Sequence, residues 1–411
     1  MMARRMPVVL ASIVFATGCF FPDRWQVEPQ PRPVDAAYLL QEDPVGLVGE
    51  VIPEEIVAVP IRERLRPCCA FGSDLGTSLL GIPIPFYRVP NLLDPGDLGP
   101  HTYDAGAVRV DFADASPVAL TSEHNGLVYT CRGGFIDTAH VRDNVDWALF
   151  LAANIGRRLG ERFTLELGHE AGRRFVDVEP IAPEVIDRIG RRRLAVWLAE
   201  WLSFQLSIWH EIATWYGFES VKGFPERASA FSPEDLYSNA IGGRLLAGIA
   251  YRRQAATADI YGTAVDAWLQ QVLAYLGPVP KKQARELVTA LDGLWWNSAA
   301  RLPAAGLVQR RNFDVSSPVL PWRAPAAVAP PELRALCKDA PPLPVWVHGE
   351  RLGVPLHRLV VLRVELDAER AALEPLRPYA GVVTQEDFPA LVESIRKQAL
   401  VEFGPRADRP D

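Results

Sequence analysis

The residues best able to do chemistry sit in an apolar setting. Residues 194–218, LAVWLAEWLSFQLSIWHEIATWYGF, carry four tryptophans and are apolar on most sides, which predicts a buried helix. Its polar residues Glu200, Ser203, Ser207, His210, Glu211 and Thr214 step by 3, 4, 3, 1 and 3, so they line one face. An unpaired carboxylate or imidazole is costly to bury, so this stripe must meet partners, water or an ion. His210-Glu211 opens like the zinc-protease pattern H-E-x-x-H, but the second histidine is replaced by Thr214.

Residues 135–147, FIDTAHVRDNVDW, offer a partner helix. Asp137, His140 and Asn144 share its face, with Asp143 beside them. If the two helices pack together, His140 and His210 converge with Asp137, Asp143 or Glu211. Two imidazoles with one or two carboxylates suit zinc or another divalent first-row metal. Glu211 is then either a ligand or the general base on metal-bound water, whose pKa falls toward about 7. Asp235, in the cap sequence Ser232-Pro-Glu-Asp235, is a further candidate, although its capping role accounts for it without chemistry. The same stripe also fits a polar network that only fixes helix register.

Cys131 offers a second chemistry. It stands where a strand (about 126–131) meets Arg132-Gly-Gly134 and a helix expected from about 136 to 158. A strand–turn–helix elbow and a helix N-terminus suit a thiolate nucleophile, with His124 or His140 as its base. A disulfide with Cys68 or Cys69 competes with that role.

The elements that must carry these residues predict an α+β protein, mainly α: an antiparallel helical bundle with small β-hairpins and a mixed C-terminal segment. A hairpin is expected over 162–178, with His169 at its solvated tip. Helices are expected over 183–216, 232–254, 258–276, 281–296 and 387–403, and a strand over 357–366. Ile82-Pro-Ile-Pro85 is confined to an edge or loop. The boundaries read as a leader (1–19), a proline-rich tether (20–60), a main helical domain (61–300), a proline-rich linker or surface segment (301–345) and a C-terminal α/β segment (346–411).

The leader, MMARRMPVVLASIVFATGC, has Arg4 and Arg5 ahead of a short apolar run, the pattern of a secretory signal. Its ending resembles the lipobox of bacterial lipoproteins, which implies acylation of Cys19, an anchor in the outer membrane and a periplasmic address. The membrane is then reached through lipid rather than through residues 194–218, whose Glu200, His210 and Glu211 oppose a span. Net charge is −7, and −9 once the two leader arginines are gone, so nucleic acid is excluded as the main partner.

Four blocks taken together resemble an uncharacterised bacterial lipoprotein family, domain of unknown function 4056, over residues 60–320. They are RPCCAFG (66–72), YTCRGGFID (129–137) with HVRD (140–143), HEIATWYG (210–217) and FSPEDLYSN (231–239). The resemblance implies an exported module and supplies no activity. The leading expectation is a metal-dependent hydrolase of the cell envelope. The alternatives are a cysteine hydrolase or acyltransferase using Cys131, and a non-catalytic scaffold or binding lipoprotein.

Overall fold

The computed structural model describes residues 30–41, 56–63, 65–66, 70–79, 82–105, 123–220 and 225–408. Cys19, the leader, Cys68 and Cys69 lie outside them. The first described element is a departure from the expected tether. Pro33 at the first helical position, and Asp35 accepting from Arg32 N at 2.7 Å, start a short helix, α1 (Pro33–Leu39), that buries Ala36 and Leu39. Strands β1 (Leu75–Leu79) and β2 (Ile82–Val89) then form a two-stranded sheet, with Leu302 bridged to Thr77 of β1, which leaves the Ile-Pro-Ile-Pro run of β2 on an edge.

The elbow at Cys131 folds differently from a strand leading straight into a helix. Strand β3 (Leu127–Thr130) turns through Arg132 and Gly133 and returns as β4 (Gly134–Asp137) before helix α2 (Thr138–Arg158) begins. Thr130 Oγ1 accepts from Gly133 N at 3.0 Å, and Gly134 has φ +67° with the Trp322 carbonyl packed where a Cβ would sit. A returning strand is therefore built in, and Asp137 is both its last residue and the N-cap of α2.

The hairpin β5 (Phe163–His169) and β6 (Gly172–Val178) forms as expected. Helix α3 (Pro183–Ile189) is split from α4 (Arg191–Trp215) at Gly190, whose φ of +89° ends the first helix early. Next come α5 (Asp235–Tyr251), α6 (Ala258–Leu276), with Thr257 as its N-cap, and α7 (Lys281–Ala290). The proline-rich stretch holds only α8 (Pro331–Cys337) as an α-helix, yet it buries Arg310, Arg311 and Val319. The C-terminal part supplies α9 (Leu356–Leu359), β7 (Val360–Leu366), α10 (Ala368–Ala371), β8 (Val382–Thr384) and α11 (Phe388–Phe403). Strand β7 pairs with β6, so the largest sheet runs β5-β6-β7-β8, antiparallel throughout.

Helices α2, α4 and α5 pack on one another at the centre of a mainly α, α+β fold. Gly242 and Gly243 permit this. A Cβ on Gly242 would lie 2.4 Å from the Val141 carbonyl of α2, and one on Gly243 would lie 3.2 Å from Ser203 Oγ of α4. Among the described residues no helix is long and apolar enough to cross a membrane. Instead, α4 is clothed by protein. Its Glu200 is paired with Arg244 at 2.8 Å and Arg351 at 3.4 Å, which accounts for one end of the polar stripe.

Candidate metal centre

Two helix starts meet at one point. At the start of α2, Asp137 caps the helix with Oδ1, which accepts from Ala139 N at 2.7 Å, while Oδ2 points toward His140 Nε2 at 3.8 Å. At the start of α5, Asp235 Oδ2 accepts from Ser232 N at 2.7 Å, and Oδ1 lies 3.4 Å from the same His140 nitrogen. Capping thus holds one oxygen of each carboxylate and aims the other at the imidazole. Asp137 N also donates to Ser238 Oγ at 2.9 Å, tying the two starts together.

The histidine is oriented from behind. Asn239 Oδ1 accepts from Asn144 Nδ2 at 2.5 Å and faces His140 Nδ1 at 3.2 Å, so Nδ1 carries the proton. A ring that carries its proton on Nδ1 alone turns the Nε2 lone pair, which has no hydrogen-bond partner, toward two carboxylate oxygens. Three acceptors facing one another require a cation between them or a further proton, on the ring or on a carboxyl. The three ligand atoms lie within 4.8 Å of one another. Bonds of about 2.0–2.2 Å in tetrahedral geometry separate ligand atoms by roughly 3.3–3.6 Å, beside the 3.4 and 3.8 Å between His140 Nε2 and the Asp235 and Asp137 oxygens.

Two more acids crowd the same place. Asp137, Glu211, Glu234 and Asp235 are each 2% exposed or less, and His140 is 6% exposed. Glu211 Oε2 accepts from Phe231 N at 2.6 Å, whereas its Oε1 and both oxygens of Glu234 have no hydrogen-bond partner. Burial raises the Asp235 carboxyl well above its usual range, and the charges of Glu211, Glu234 and Asp137 push it further. Glu234 is raised in the same way, by burial and then by Asp137. A bound cation reverses that logic by favouring the ionised acids.

A cleft opens beside His140, lined also by Arg66, Asn144, Arg174, Ser207 and His210, and encloses about 430 Å³ including its open mouth. The cleft has room for water beside the imidazole.

Several expected ligands stand elsewhere. The His140 and His210 rings are 6.5 Å apart between centroids, and His210 Nδ1 is paired with Glu170 from the β5–β6 turn. Burial disfavours the imidazolium, but the Glu170 carboxylate outweighs it and raises the pKa of His210 to about 9. His210 is thus not part of the group whose ligand atoms converge, which is Asp137, His140 and Asp235. Asp143 is not a ligand either. It pairs with Arg62 at 2.6 Å and Arg66 at 2.7 Å. Cys131 is bonded to Cys337, not to Cys68 or Cys69, so it has no free thiol and the nucleophile role is withdrawn. Of the expected residues, the structure gathers Asp137, His140 and the further candidate Asp235, with the charges of Glu211 and of Glu234, which was not expected, felt at the same place. The acidic FSPEDLYSN block was the available signal for Asp235 and Glu234. For Glu170 there was none beyond a lone acid in a turn.

Fold and site together define a mainly α protein of the α+β class, with a buried histidine–carboxylate triad able to hold a metal ion. The chain belongs to the family described as Protein of unknown function (DUF4056), whose model matches residues 56–325. That stretch contains the triad, Glu211 and Glu234, while β7, β8 and α11 fall beyond it. No curated protein and no solved structure matches the chain.

Proposed function

We propose that this protein is a metal-dependent hydrolase acting on a cell-envelope substrate, with Asp137, His140 and Asp235 as the metal ligands. One observation carries the reading: His140 Nε2, oriented by Asn239, faces two buried carboxylate oxygens with no donor between them. A divalent ion there supplies a Lewis acid and a water of lowered pKa. The adjoining cleft, with room for water beside His140, supports a reactive rather than a purely structural centre. Glu211 retains its role as ligand or base. The exported address remains part of the proposal, with the chain held to the outer membrane by lipid on Cys19. The Cys131–Cys337 disulfide supports it, since such bonds persist in oxidising compartments.

The test is metal content of the purified full chain after equilibration with buffered Zn²⁺ or Mn²⁺, paired with ester and phosphoester hydrolysis assays. The wild type is expected to retain metal and to lose hydrolysis on chelation, with activity restored by added ion. His140→Ala and Asp235→Asn should each weaken binding at least tenfold. A metal-free wild type would leave an imidazolium–carboxylate network and end the proposal.

A further inference from the structure

Asp235 is aimed by a turn whose backbone a phenylalanine does not adopt freely. Phe231 has φ +56°, in the left-handed region that bulky side chains rarely occupy, so its surroundings must hold it there. Two successive peptide groups are gripped at both ends. In the Ala230–Phe231 peptide, the carbonyl accepts from Arg311 Nη1 and the N–H donates to Glu211 Oε2 at 2.6 Å. In the Phe231–Ser232 peptide, the carbonyl accepts from Asn312 N at 2.8 Å. Its N–H donates to Asp235 Oδ2 at 2.7 Å and also reaches the Ser229 carbonyl at 3.0 Å. This second peptide fixes one oxygen of Asp235 and leaves Oδ1 3.4 Å from His140 Nε2.

Arg311 is not one of the residues whose ligand atoms gather, yet it is fully buried beside this turn. Its Nη2 donates to the carbonyls of Ala228 at 3.3 Å, Ala305 at 3.0 Å and Val308 at 3.2 Å. The guanidinium also lies over the rings of Trp215 and Phe403, at the ends of α4 and α11. One side chain thus ties the turn ahead of α5 to the proline-rich segment and to the C-terminal helix. A cation on the carbonyl and a carboxylate on the N–H of the same peptide make both of its bonds charge-assisted.

We infer that Arg311 is a positioning residue for the proposed metal site: with Glu211 it locks the Ala230–Phe231 peptide, and through that turn it aims Asp235 at the ion. This deepens the metal-hydrolase reading and rests on it. Glu211 Oε2 is committed to the turn, which leaves Oε1 for the role of ligand or base. The turn is held by protein contacts alone, so Asp235 is set in place before an ion arrives.

Co²⁺ binding to the full chain, followed by titration and by visible absorption, tests this. Arg311→Lys keeps the charge but cannot span four carbonyls. It should still bind one ion per chain, at least roughly tenfold more weakly than the wild type and with altered ligand-field bands. Cys337→Ser, which lowers stability away from the ligands, should keep the wild-type affinity and bands, and so separates positioning from a general loss of stability. Arg311→Lys with wild-type affinity and bands overturns the positioning role and leaves the metal reading standing. A wild type that binds no ion overturns both. If Arg311→Lys does not fold, hydrogen exchange of residues 229–235 in the wild type decides. Protection already present in the metal-free chain supports the inference, and protection that arises only with added Co²⁺ overturns it.

Discussion

His210 shows how a neighbouring charge decides what a side chain can do. By residue type it is a metal ligand. Beside buried Glu170, itself held ionised by Arg174 and His210 against the effect of burial, it is an imidazolium. Its folded pKa of about 9 lies above the ordinary value of 6.5, so the stabilisation is fully present below about pH 6.5 and is lost as pH rises through 9. The shift corresponds to on the order of 3 kcal/mol. In Glu170→Gln the ring keeps the effect of burial without the carboxylate, and its titration midpoint should fall to or below 6.5. Histidine NMR titration of the two proteins checks this. Denaturant titrations should show the stability gap between them closing from pH 6.5 to 9. A wild-type midpoint near 6.5 would refute the assignment.

At the scale of elements, the proposed metal ligands depend on how closely α2 and α5 approach, since each helix start contributes one carboxylate. Gly242 sets that approach, because a methyl group there would lie 2.4 Å from the Val141 carbonyl. Gly242→Ala gains helix propensity of about 1 kcal/mol, yet it must push the helices apart against overpacking worth roughly 1–3 kcal/mol or more. We expect net destabilisation and weaker metal binding together, as Asp235 moves away from His140. Gly306→Ala, where a Cβ meets nothing within 4 Å, should leave both within error. Thermal melts and Zn²⁺ titrations of the two variants distinguish this from a general intolerance of added methyl groups.

For the whole molecule, the Cys131–Cys337 disulfide joins the turn after β3 to the end of α8 across 206 residues of sequence. Closing so long a loop restricts the unfolded chain, and native bridges typically contribute about 2–4 kcal/mol. Cys337→Ser should lower unfolding stability by that order while leaving metal stoichiometry unchanged, because the bridge touches none of the ligands. Peptide mapping without reductant should recover the Cys131–Cys337 pair. Recovery of Cys131 joined to Cys68 or Cys69 would contradict the structure. The same large scale makes the C-terminal segment part of the central architecture, since β7 extends the sheet that carries Glu170 into the core.

Much of the fold could be read from the chain. The 3.6-residue pattern of α2, α4, α6 and α11 and the hairpin at 162–178 are local signals, written within a few residues of where they act. Asp137 and His140 were legible as a pair for the same reason, being three residues apart on one helix face. The third member of the triad, Asp235, was legible only as a further candidate. Asp235 looks like an ordinary cap, and the capping oxygen and the ligand oxygen of one carboxylate are told apart only when α5 docks on α2. His210 and Cys131 were assigned chemistry by type, but Glu170 and Cys337 reach them from 40 and 206 residues away. Residue type and periodicity therefore determined which groups would be buried. Tertiary packing decided which charges and sulfurs face one another, because those energies depend on distances between segments that the linear order does not contain.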